Sequence, residues 1–197
     1  MTEPASHPER ADSVSGVPAA LTAATVAVFK KSFFKDGLIV TDPNGNVLAR
    51  TVQRPGSGGL FFTRGPLDLL ADDERVLVRI LPVQQAFVGL HYEMSDAAGV
   101  PLGIVQIHYG GPLNHALNVS FPDGSQMQFS TIFRSQSDCT YRDRLAARIA
   151  RPDAFSLLRH VSFDPDARPW LRRIILGAVI AALDYELVDA AREARNS

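Results

Sequence analysis

Few residues in this chain could do chemistry, and most of those are cations. Its only three lysines fall together, at Lys30, Lys31 and Lys35. Arg50 and Arg54 come beside them if the strands that carry these residues pair as a hairpin. Ammonium and guanidinium groups gathered in this way can take phosphate oxygens, lysine as a point charge and arginine as a planar fork. Near an acidic membrane surface each such cation gains about 1 kcal/mol. The same side chains would also serve as the wet face of outer strands, where lysine and arginine mostly sit. A second set, Arg142, Arg144, Arg148 and Arg151, is open to both readings.

Covalent and metal chemistry find no comparable set. Asp42, Asn44 and Asn46 imitate the first half of an EF-hand loop. Val47, however, stands where that loop needs glycine, and Gln53 replaces its closing glutamate, so a hairpin turn is expected there. His91, His108, His115 and His160 lack the spacing of a structural zinc site. Cys139 is the single cysteine, which excludes an internal disulfide and a multi-cysteine zinc site, and no partner base stands near it in sequence. There is no Gly-x-Ser-x-Gly elbow and no Walker loop. Gly56-Ser-Gly-Gly59 has no helix start behind it and reads as a flexible loop. The expectation is a non-enzymatic protein with no catalytic residue, metal or cofactor.

Composition sets the outer bounds. The chain has 197 residues, 46% hydrophobic and 21% charged, which suits one globular domain with a sizeable core. A net charge of −1 argues against a nucleic-acid partner held by bulk charge. Residues 1–20 read as a mobile tail without an apolar leader, and 21–197 as a single domain. The expected location is the cytoplasm, with peripheral association at a membrane.

The elements that would position the cations follow from patterning. From Ile174 to Leu183 every residue is apolar or glycine, with no polar position at either period. Such a helix, expected over about 168–192, has no wet face and must be enclosed. A bilayer span would need about 20 apolar residues and would carry Arg172, Arg173, Asp184 and Glu186 into it. Elsewhere the chain reads as short strands. A frame of strand, Asp, two residues, Gly and strand occurs at 38–48 and 92–102. It recurs at 117–127 with Pro-Asp-Gly as the turn, and a copy without glycine lies at 139–149. Residues 66–74 read as either a strand or a short helix. About twelve strands followed by one helix describe an α+β, mostly β, chain. A barrel wider than eight strands leaves a hole, and a helix about 10–12 Å across fills one. The expected architecture is a twelve-stranded antiparallel closed β-barrel enclosing its hydrophobic C-terminal helix.

Two stretches carry a family likeness. Val28-Phe29-Lys30-Lys31-Ser32-Phe33-Phe34, followed by LIVTDPNGNVLAR, resembles the opening of the LURP-one-related family. Phe163 to Asp184, with Leu176-Gly177-Ala178 and Asp184-Tyr185, is similar to the end of phospholipid scramblases. Both belong to the tubby-like superfamily, which implies a barrel around a hydrophobic helix over residues 23 to 190. The resemblance implies binding of anionic phospholipid headgroups, or action at a membrane surface, and the clustered Lys30, Lys31, Lys35, Arg50 and Arg54 are the residues nominated to do it. It leaves open a protein-interaction scaffold with a protein partner and no lipid role, and a scramblase-like lipid-translocating membrane protein. The acidic calcium segment of scramblases is represented only by Asp164 and Asp166, and their acylated cysteine cluster is missing.

Overall fold

Aliphatic residues at every second position give each strand one face to bury, and turn residues at its ends send the chain back. The computed structural model describes residues 16–30, 37–54, 65–85, 89–109, 115–130, 135–153 and 156–196. It contains β1 (Thr25–Lys30), β2 (Leu38–Thr41), β3 (Val47–Gln53), β4 (Leu67–Ala71), β5 (Val76–Gln85) and β6 (Gly89–Ser95). These are followed by β7 (Pro101–Tyr109), β8 (His115–Ser120), β9 (Gln126–Phe129), β10 (Gln136–Tyr141), β11 (Arg144–Ala150) and β12 (Arg159–Phe163). Two helices complete it, α1 (Ala19–Thr22) and α2 (Pro169–Asn196).

Each strand pairs antiparallel with its chain neighbours, and β12 returns to pair with β1, closing a twelve-stranded barrel. Closure leaves no open sheet edge to pair with another chain. Residues 66–74, which the sequence left between strand and helix, supply β4 and the turn after it.

The barrel has two unlike ends. At one, which we call the tips, even-numbered strands turn directly into odd-numbered ones. Asp42 Oδ1 accepts from the Asn44 and Asn46 amides at 2.8 and 2.9 Å, and Gly45 takes the positive φ of 86° that closes the turn. Asp96 repeats this with Ala98 and Val100, both at 2.8 Å, and Gly99 at φ 85°. The copy without glycine closes on a two-residue turn, with Arg142 at φ 51° and Asp143 at 60°. The β4–β5 turn uses the same frame with Glu74, at φ 64°, where the β2–β3, β6–β7 and β8–β9 turns have glycine. At the opposite end, the mouth, lie Lys30, Arg54, Arg151 and Arg159, each at or beside the end of a strand.

Every residue of α2 from Trp170 to Asp184 is buried, a length of about 21 Å with no wet face. Gly177 lets α2 come close to β5 and β6. A Cβ there would lie 2.7 Å from Met94 Sδ and 3.4 Å from Val78 Cγ1. The N-terminal end of α2 is tied to α1 by Arg172, whose guanidinium donates to the Ala23, Thr22 and Ala167 carbonyls at 3.0, 3.2 and 2.7 Å. Its charge also sits 5.2 Å from the centre of the Phe163 ring. Ala20 and Leu21 of α1 are buried in the core. Among the described residues no helix is long and apolar enough to cross a membrane.

Candidate functional site

Alternation decides which way each cation points. On β3, Ala49 and Thr51 are buried, so Arg50 and Val52 face outward. On β4, Leu67, Leu69 and Ala71 face in and Asp68 faces out, while on β5 Val78 and Ile80 face in and Arg79 out. The register sets Val52, Asp68 and Arg79 side by side across three strands. Arg54 forks onto Asp68 through Nε at 2.8 Å and Nη2 at 2.9 Å. Arg79 Nε lies 3.8 Å from the same carboxylate. Asp68 is 12% exposed in its side chain, whereas Arg54 and Arg79 keep 41% and 32%. Two guanidinium groups therefore share one carboxylate, which leaves this group of three side chains at a formal +1. Arg50 lies on the same outer face and bonds Glu74 at 2.6 Å.

Lys30 is placed differently. It shares the inward parity of Val26 and Val28 and lines a cleft at the mouth with Leu38, Thr51, Gln53, Asp184 and Leu187. That cleft holds about 20 Å³, room for a single water and far below the roughly 300 Å³ at which small-molecule pockets begin. The sheet wall thus separates Lys30 from Arg50. Lys31 and Lys35 lie outside the described residues. Of the five cations nominated from sequence, the structure brings Arg50 and Arg54 onto one face and adds Arg79, which sequence reading passed over. The alternation of RVLVRIL held that signal, since Arg79 stands between two inward aliphatic residues.

A second ionic group joins α2 to the mouth. Arg159, 3% exposed, bonds Glu186 of α2 and donates to the Ser156 carbonyl at 2.8 Å. Arg151 reaches the other oxygen of Glu186 at 3.7 Å. Burial draws the Arg159 pKa below its ordinary value, while Glu186 opposes the shift. Residues 27 and 35 apart in sequence meet here, and no local pattern announces it. In the second arginine set, Arg142 pairs with Asp123 at 3.8 Å and Arg148 with Asp138 at 3.5 Å.

Reactive groups are few. Cys139 faces the interior, and burial pushes its thiol well above the ordinary cysteine range, so it is held protonated and inert. Tyr92, fully buried, donates its hydroxyl to Asp184 at 3.2 Å. Among the described residues no three His, Cys, Asp or Glu side chains converge as metal ligands. Comparison of the chain with known family models, curated proteins and solved structures finds no match.

Proposed function

We propose that this chain is a tubby-like barrel with α2 in its lumen, a non-enzymatic module that binds anionic phospholipid headgroups at a membrane surface. Support for the lumen position comes from contacts spread around the ring. Gly177 approaches Val78 and Met94, Asp184 and Leu187 line a cleft with residues of β1 to β4, and Glu186 meets Arg151, directly after β11, and Arg159 of β12. Trp170 packs edge-on against Phe121 and Tyr141 near the tips. A helix filling the lumen removes the cavity a substrate would need, so activity moves to the outside wall.

The observation that carries the lipid reading is the surplus charge where Arg54 and Arg79 share Asp68. Guanidinium groups in this half-exposed state keep donors for phosphate oxygens. Co-sedimentation with vesicles of phosphatidylcholine, with and without phosphatidylserine, tests it at low salt, where screening is weakest. Binding should require the acidic lipid and should fall about tenfold in the Arg54→Gln/Arg79→Gln double variant. No binding even at low salt would sink the lipid reading.

One observation favours the scaffold reading. Leu81 and Ile104 are 41% and 39% exposed on the outer wall, both in register with Glu93 between them. A protein partner seated there would survive detergent washing and would be lost in Leu81→Asp/Ile104→Asp, whereas bound lipid would not survive the detergent.

A further inference from the structure

Charge is unevenly divided along the barrel axis. Each of the five hairpin tips and the β12–α2 turn carries at least one carboxylate, including Asp42, Asp96, Asp123, Asp143 and Asp164. Three more lie in Asp72–Glu74 and a last one at Asp166, making nine. The arginines at that end are Arg75, Arg142, Arg144 and Arg168 outside the core, with Arg172 and Arg173 buried. Among the described residues, nine against six leaves the tip end at −3. At the mouth, among the described side chains, Lys30, Arg54, Arg151, Arg159 and Arg79, which shares Asp68, stand against Asp68, Asp153, Asp184 and Glu186, a formal +1.

The tip carboxylates are there for turn chemistry, since Asp42, Asp96 and Asp123 all accept backbone amides of their own hairpins. Their position nonetheless has an electrostatic consequence. A strand of seven residues at barrel tilt spans about 18 Å along the axis. That is roughly two screening lengths of about 8–10 Å at physiological salt. With the mouth against an anionic surface, the tip carboxylates are screened from it. With the tips against it, every one of them is within reach and repelled.

We infer that, on an anionic bilayer, this barrel stands mouth-first with its hairpin tips turned away. The inference rests on the lipid-binding reading above and adds its geometry. α2 continues past Glu186 for about 15 Å to Asn196, so the bilayer meets the last turns of α2 together with the rim. Arg54, directly after β3, is on that rim.

The test uses the full chain with single cysteines at exposed positions, each carrying an environment-sensitive fluorophore. Gln136 and Asp153 report the mouth, Asn44 and Ala98 the tips. Buried Cys139 stays unlabelled in the folded protein. With vesicles of phosphatidylcholine and phosphatidylserine, emission at 136 and 153 should shift to the blue and be quenched by a bilayer-embedded quencher. Emission at 44 and 98 should not change. If the tip probes respond as strongly, or if the protein sediments with vesicles while all four stay silent, mouth-first docking is wrong although lipid binding stands. If it does not sediment at all, the lipid reading and this orientation fall together.

Discussion

Replacing Glu186 with alanine should be among the most damaging single changes in the protein. Its carboxylate is the counter-charge given to Arg159, whose side chain is 3% exposed, and it also faces Arg151 at 13%. Alanine fits the helix at least as well as glutamate, so intrinsic propensity will not hide the loss. What remains is the deep Arg159 guanidinium without the carboxylate it bonds. Breaking a buried pair from one side costs about 3–5 kcal/mol, because the surviving charge stays desolvated. For a chain of this size that corresponds to roughly 10 °C in Tm. Glu186→Gln should lie between, since it keeps an acceptor for Arg159 and loses the charge. Adding Arg159→Met to Glu186→Ala should recover part of the loss, because the deeper cation no longer needs a partner. Thermal melts followed by circular dichroism and by the emission of Trp170, the only tryptophan, would measure all of these. If Glu186→Ala melts within about 1 kcal/mol of the parent, α2 is not held at the mouth as described.

Three further outcomes follow from local geometry. Gly177→Leu should cost about 1–3 kcal/mol in urea unfolding, because a Cβ there already meets Met94 Sδ at 2.7 Å. Pairing it with Met94→Ala should return part of that, and an additive loss would count against the contact. Glu74→Gly should stabilise by about 0.5 kcal/mol, since relief of the left-handed strain at φ 64° outweighs an exposed pair with Arg50. For Asp42, the hydrogen bond from the Asn46 side chain leads in holding its carboxyl below the ordinary value. Its stabilising effect is therefore complete above the unfolded value near 3.9, roughly, and is lost as pH falls through the lower folded one. The denaturation midpoint of Asp42→Ala should be flatter than that of the parent across that acid window, and an equal slope would contradict the assignment.

How much of this was legible depends on whether the cause was local. The hairpins at 38–48, 92–102, 117–127 and 139–149 were readable because aspartate and glycine, or a two-residue turn, announce them within a few residues. The β4–β5 hairpin was harder, since Glu74 does the work of glycine and PLDLLADDE alone also suits a short helix. The unbroken apolar run of α2 required enclosure, and the closed strand ring was expected from the count. The candidate site was only partly readable. Pairing of the first strands was foreseen, but strand parity turns Lys30 inward and Arg50 outward, which depends on the core face chosen. The partners of Arg50 and Arg54 come from β4 and the turn after it, and those of Arg159 from α2, so tertiary placement alone decides which cations keep surplus charge.

The central claim is that α2 occupies the lumen and leaves binding to the outer wall and the rim of the mouth. Methyl-to-methyl nuclear Overhauser contacts from Leu176, Ile180 and Leu183 test it most directly. A helix inside the ring predicts contacts to inward methyls on opposite walls, with Val28 of β1 and Val161 of β12 on one side and Val78 of β5 and Val105 of β7 on the other. Contacts confined to one wall would contradict it.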